Sequence, residues 1–327
     1  MNTYGKLFRV SIFGESHGEG TGVVIDGVKP GISLSVADFE ADLARRRSGA
    51  PGTTPRREPD LPEILSGVYE GHTTGAPLTL LFRNTNTRPG DYERLRDVPR
   101  PGHADFTAGI KYGGFQDPRG GGHFSGRLTL PVVGAGVIAK KMLSEALGEP
   151  FCCNARIKEL GGLADESQWA QALAAAQAEG DSLGAVVECV TEGIPAGVGE
   201  PFWDSVESCI AHTVFAIPGV RGIEFGDGFA ASRMRGSEHN DVLSPSPATH
   251  HAGGVNGGIS NGGPLVFRVA FKPTSSIARA QKTWDFAAGR LTELRVGGRH
   301  DICFALRTPV IVEAVTAIVL VDLLRRR

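Results

Sequence analysis

The chain lacks most of the features that announce a function at first sight. Its five cysteines, Cys152, Cys153, Cys189, Cys209 and Cys303, are an odd, scattered set without a C-x-x-C pair. Neither a zinc site nor a disulfide framework is indicated, and reduced, cytoplasmic thiols are the simplest expectation. Charge of one sign is missing too: 34 Lys and Arg against 36 Asp and Glu leave a formal −2. There is no global basic field of the kind that nucleic-acid binding uses. The longest apolar run, Thr308 to Leu324, contains Glu313 and Asp322 and is too short and too charged for a membrane span. It reads as a buried helix capped by Thr308, opened by Pro309 and closed by Arg325, Arg326 and Arg327. The start, MNTYGKLFRV, has no basic segment followed by a long apolar one, so no signal peptide is expected. Phosphate-loop GK[ST] and a G-x-G-x-x-G after a strand are absent, and His and acidic spacings match no metal-ligand signature.

What is present is a folded composition, 41% apolar and 21% charged, with 45 glycines, about twice the usual ~7% share. They cluster in KYGGFQDPRGGGHFSG (111–126) and HAGGVNGGISNGGP (251–264), between apolar segments and without a G-X-Y period. Such loops suit places where backbone approaches a ligand or another chain. Periodicity predicts strands at 7–13, 22–28, 63–69, 77–83, 183–191, 264–272 and 301–306, and helices at 36–47, 129–147, 166–179, 202–216 and 308–325. Ser35 and Asp38 form a capping-box start for the first helix. The order is too irregular for a doubly wound sheet, so α+β is the expected class. The two glycine-rich segments precede apolar elements at comparable places in the two halves, which hints at a duplicated architecture.

Several stretches could carry chemistry. In FGESHG (13–18), Ser16 and His17 sit between Gly14 and Gly18 just after an apolar strand. Such turns hold polar side chains over clefts; taken alone, the pattern favours a histidine facing water. Arg45, Arg46 and Arg47 close the first helix, and Arg56 and Arg57 follow. A planar guanidinium suits phosphate and carboxylate, while a solvated helix end complementing the macrodipole explains the triplet equally well. Three consecutive side chains diverge, so at most two can face one ligand. RPGHADFT (100–107) repeats the glycine-turn histidine with His103, which Asp105 could orient and raise in pKa. Two such histidines suggest an acid/base pair. RGGGHFSGR (119–127) offers backbone N–H groups, Ser125 and Arg127 as an anion cradle. FKPTSSI (271–277) and GGRHD (297–301) read either as polar rims of a ligand site or as exposed turns. Together these stretches describe a cleft for a small anion bearing phosphate and carboxylate.

FRVSIFGESHG, DLARRR, RREPD, LSGVYEGHTTGAPLTL, RPGHAD, GGG..SGR, GDGF, HAGG..GGIS.G, KPTSSI and GRHD occur in this order, from about Leu7 to the C-terminal helix. In this the chain closely resembles the chorismate synthases. The resemblance implies one domain over residues 1–327, a layered β-α-β sandwich with internal pseudo-duplication, and a cytoplasmic homotetramer. It implies a lyase that converts 5-enolpyruvylshikimate 3-phosphate to chorismate and phosphate by 1,4-anti elimination, the last common step toward aromatic amino acids. Reduced FMN is required without net redox change, and some members reduce it with NADPH. Carried over by motif, His17 would protonate the leaving phosphate, His103 the reduced flavin, and Asp301 would help relay the proton. Ser16, Arg46, Ser125, Arg127 and Arg299 would contact substrate. Arg46, His123, Phe124, Ser125, Gly257, Lys272, Pro273, Thr274, Ser275, Ser276 and Arg299 would line the flavin site. The chain departs from the family where GGGHFSGR replaces the frequent GGGRSSAR, where the loop after the arginine triplet is shorter, and where Ile302 stands for a proline.

Overall fold

The structure is a computed structural model that describes residues 2–55, 58–86, 95–244, 249–298 and 300–327. Its first half builds β1 (Thr3–Tyr4), β2 (Arg9–Gly14), β3 (Gly20–Asp26), α1 (Glu40–Arg46), β4 (Glu63–Ser66), β5 (Leu78–Arg83), α2 (Asp105–Lys111) and the long α3 (Thr129–Leu147). The second builds β6 (Cys152–Leu160), α4 (Trp169–Ala178), β7 (Ala185–Glu192), α5 (Val206–Val214), β8 (Val220–Phe225), β9 (Leu265–Phe271) and the long α6 (Pro309–Leu324). Each half therefore follows one plan, an antiparallel sheet and then a long helix. The sheets run β1-β2-β3-β5-β4 and β8-β9-β7-β6.

Alternation decides which face of each sheet is covered. Val23 and Ile25 in β3 and Leu78, Leu80 and Phe82 in β5 are fully buried, as are Val187 and Cys189 in β7 and Phe267 and Val269 in β9. The long helices lie between these faces, α3 against the first sheet, α6 against the second, and each against the other. This is the β-α-β layering the resemblance implies. A core from Phe8 to Leu323 joins the layers. The helices can touch because Gly136 has no side chain: a Cβ there would lie 2.4 Å from the Ala314 Cβ.

Two buried carboxylates fasten the layers. Glu313 accepts 2.7 Å bonds from both terminal nitrogens of Arg45, a 3.1 Å bond from Lys140 and a 3.0 Å bond from the Ala155 amide. Burial opposes its ionisation, but Arg45 and Lys140 outweigh it and hold the pKa below the usual range. Asp322 accepts the amides of Lys6 (3.0 Å), Leu7 (2.6 Å) and Phe8 (2.8 Å).

Some expectations need correcting. Residues 301–306 are not a strand: Phe304–Arg307 is a 3-10 turn, which returns Arg307 to Asp301. Thr308 does not cap the last helix with its side chain, whose hydroxyl donates to the Ala305 carbonyl at 2.9 Å. The expected 63–69 strand breaks at Gly67, which takes φ +85°, a conformation costly for other residues. Strands β6 and β8, helix α2 and the hairpin Gln281–Asp285/Arg290–Leu294 were not foreseen.

Replacing Gly136 with Ala sets two effects against each other. Helix propensity favours alanine by ~1 kcal/mol, whereas overpacking at a helix crossing costs ~1–3 kcal/mol. With backbone atoms of Ala314 only 2.7 Å from the new Cβ, the second should win. Denaturant titration is expected to show a net loss; a stabilised variant would refute the crossing as a tight contact.

Candidate active site

A cavity of about 1090 Å³ opens where the helix N-termini meet the first sheet's turns. It is lined by His17, Arg46, His103, His123, Phe124, Ser125, Arg127, the run Lys272 to Ser276 and Asp301. Chain segments far apart in sequence are thus brought together as the motifs suggested. Ser16 lies behind His17, fully buried and bonded to its ring. Gly257 sits elsewhere, in the tight turn between Val255–Asn256 and Ile259–Ser260. Arg56, Arg57 and Arg299 lie outside the described residues.

His17 is set by its turn. The Ser16 amide donates to the Gly122 carbonyl (3.1 Å) and the Ser16 hydroxyl to the Arg119 carbonyl (3.3 Å), while Ser16 Oγ lies 3.0 Å from His17 Nδ1. With the hydroxyl proton directed at Arg119, Nδ1 can donate to Ser16 Oγ, and that tautomer would leave Nε2 to exchange a proton. From the other side, the Asn84 amide donates to the carbonyls of Glu15 (3.0 Å) and Gly18 (2.9 Å). The glycine arch 120–122 then separates the two histidines. A Cβ on Gly120 would lie 2.1 Å from His17 Cε1, and one on Gly121 would lie 3.2 Å from the His103 ring. His123 Nδ1 donates to the Gly14 carbonyl at 2.8 Å, and its Nε2 lies 3.2 Å from Asn2 Oδ1.

His103 is held by a network the sequence shows only in part. Asp105 Oδ1 lies 2.6 Å from His103 Nδ1 and also accepts from Arg100 Nη2 at 2.7 Å. Arg100 Nη1 donates to Ser276 at 3.0 Å, and Lys272 and Ser275 bond to the Gly102 carbonyl. The Lys272–Ser276 run thereby clasps the His103 turn. The expected rise in the His103 pKa does not occur: burial lowers it, Asp105 raises it less, and Arg100 lowers it further. Burial likewise opposes ionisation of Asp105, but Arg100 and His103 hold its pKa well below the carboxylate range.

The arginine triplet diverges as foreseen. Arg45 goes to Glu313, Arg47 donates to the Pro59 carbonyl at 2.9 Å, and Arg46 turns inward. Arg46 and Arg127 share Asp60, at 3.5 and 2.9 Å, so three buried groups carry one net positive charge. Burial and then Arg307 press the Arg46 pKa below its usual value. Arg127 Nε also donates to Asn84 Oδ1. Asp301 is paired with Arg307 (2.7 Å) and accepts the Thr54 amide (2.8 Å), while His300 bonds the Gly297 carbonyl at 2.8 Å. Sequence reasoning missed Asp60, Asn84, Arg100 and Arg307. Asp60 and Arg100 belong to the quoted motifs RREPD and RPGHAD, which was the available signal; Asn84 and Arg307 gave none.

Asp60 has φ +53°, a conformation asparagine tolerates. Asp60→Asn therefore removes the charge with little backbone strain and leaves two buried guanidiniums uncompensated. Losing one partner of a buried pair costs ~3–5 kcal/mol, and a loss of that order is expected in denaturant unfolding. Unchanged stability would show that the guanidiniums are solvated.

Comparison with known proteins identifies the family. The family model described as chorismate synthase matches residues 8–324. A chorismate synthase of Chitinophaga pinensis is 60% identical over 325 residues, covering 98% of this chain and 96% of its own. One from Dehalococcoides mccartyi is 45% identical, covering 99% and 97%. A crystal structure of a chorismate synthase matches with a TM-score of 0.75 at 26% identity, covering 99% of this chain and 93% of that one. The chain, with its two histidines and paired arginines in one cavity, belongs to the chorismate synthase family.

Proposed function

We propose that this cavity eliminates phosphate from 5-enolpyruvylshikimate 3-phosphate to give chorismate, with His17 as the acid for the leaving phosphate. The observation that carries the reading is that His17 and His103 flank one glycine arch in one cavity, beside the Arg46–Asp60–Arg127 triad. Phosphate leaves poorly unless its charge is neutralised. A charge-assisted hydrogen bond contributes ~1.5–3 kcal/mol, more where water is excluded. The Ser16 contact keeps His17 Nδ1 protonated, so the acid proton sits on Nε2. His103 Nδ1 faces Asp105, so its Nε2 likewise exchanges the proton. The carboxylate oxygens of Asp301 each accept one N–H bond and keep lone pairs for a proton.

The residues fit a flavin as well as a substrate. The volume exceeds the ~300–1,000 Å³ usual for one small ligand. Among the described residues the Thr274 hydroxyl and Arg307 Nε are buried without a hydrogen-bond partner, as donors awaiting a ligand would be. Ser125, Lys272, Thr274, Ser275 and Ser276 would hold reduced FMN, and Phe124, which lines the same cavity, packs against Tyr112. Bound there, reduced FMN would supply electron density and a base for the carbon-bound proton. Five free cysteines support a cytoplasmic setting, the continuous core supports one domain, and exposed Phe202 and Trp203 are apolar surface that a homotetramer would cover.

The deciding experiment mixes the protein anaerobically with reduced FMN and the substrate and follows chorismate and phosphate. No chorismate would sink the reading; consumption of NADPH with oxidised FMN alone would reveal an intrinsic reductase. His17→Ala is expected to slow turnover ~10²–10⁴-fold. Gly120→Ala, which puts a methyl into the His17 ring, should slow it comparably while binding persists. Near-normal turnover of His17→Ala would remove it as the acid.

Binding should also take up protons. The His103 pKa is below its ordinary value in the free protein, and a bound anion raises it. Between the free and bound values the ligand therefore protonates His103. Calorimetry of substrate binding in buffers of different ionisation enthalpy should show uptake that shrinks in His103→Asn. Proton release would contradict the assignment.

A further inference from the structure

We infer that Asn84 is a positioning residue that ties the His17 turn to the anion-binding arginines; this rests on reading His17 as the acid. Asn84 follows β5 directly and is bonded through both ends of its amide. Its nitrogen donates to the Glu15 and Gly18 carbonyls, at 3.0 and 2.9 Å, which bracket Ser16 and His17. Its oxygen accepts from Arg127 Nε. Arg127 in turn holds Asp60 at 2.9 Å, and Asp60 holds Arg46. One amide thus joins the acid's turn to the positive triad. The assignment of its two ends is unambiguous, because carbonyls only accept and a guanidinium only donates.

The opposite side of the turn is held by the 119–123 arch, through Ser16 and His123. Arch and amide act as two jaws. With only one, the turn can relax, and displacement of a reacting group by ~1 Å costs ~10²-fold in rate. Its amide bonds go to backbone carbonyls and to Arg127, so it acts through other residues.

Asn84→Asp separates positioning from simple support. It preserves size and the acceptor for Arg127, and adds an ion pair there, but turns carboxylate oxygen toward two carbonyls. Simple support of Arg127 would leave this variant folded and fully active. Positioning predicts a melting temperature at or near wild type and kcat lowered ~10–100-fold. The independent readout is the ¹⁵N spectrum of the His17 ring, identified by its absence in His17→Ala. Wild type should show the Nδ1-protonated form, and Asn84→Asp a mixture. Asn84→Leu, which loses both ends, should match that kcat loss and melt lower. Wild-type kcat with an unchanged His17 spectrum in Asn84→Asp would overturn the proposal. If His17→Ala itself kept full turnover, the acid reading would fail, while the ring spectrum would still decide whether Asn84 orients His17.

Discussion

The close approach of the two long helices is the contact on which everything else depends. Gly136 and Ala314 let α3 and α6 meet without intervening side chains, and each helix then carries one sheet. The crossing also sets where the helices begin. α3 starts just after the glycine arch and Arg127, and α6 just after Asp301 and Arg307. Leu128, Thr129, Phe304 and Arg307 all line the cavity. Two helix N-termini, the positive ends of their macrodipoles, are therefore brought to one place by packing far from it.

The cavity's electrostatics follow the same economy. Arginine is plentiful around it, yet each buried guanidinium has a protein carboxylate: Arg46 and Arg127 share Asp60, Arg100 holds Asp105, and Arg307 holds Asp301. Unpaired, such charges would be expensive to bury. Paired in this way, they leave a modest positive excess and a fixed array of N–H groups. A phosphate then meets a preorganised surface rather than loose side chains.

Much of the fold could be read from sequence. The helix at 129–147 agrees with its periodicity to the residue, and Gly148, with φ +74°, ends it. Strand β6 escaped notice because its inward positions, Cys153 and Ala155, are small and its outward ones include an exposed cysteine. The histidines were legible as polar residues in glycine turns. Their acid/base pairing could be suggested, but not the arch between them, which lies over a hundred residues from His17. The pKa of His103 was misjudged because Asp105 is two residues away in sequence, whereas burial exists only in the folded chain. Asp60 belonged to a recognised motif, but nothing local says that it neutralises arginines 14 and 67 positions away.

The bonds from Asp322 to the amides of Lys6, Leu7 and Phe8 have a meaning for synthesis on the ribosome. These partners are separated by up to 316 residues, so the amides have no carboxylate to meet until α6 has left the exit tunnel. The segment just ahead of β2, the strand that leads to His17, is thus made well before the helix that moors it. A nascent fragment that has already formed its first sheet therefore still lacks the carboxylate that moors this segment until α6 emerges.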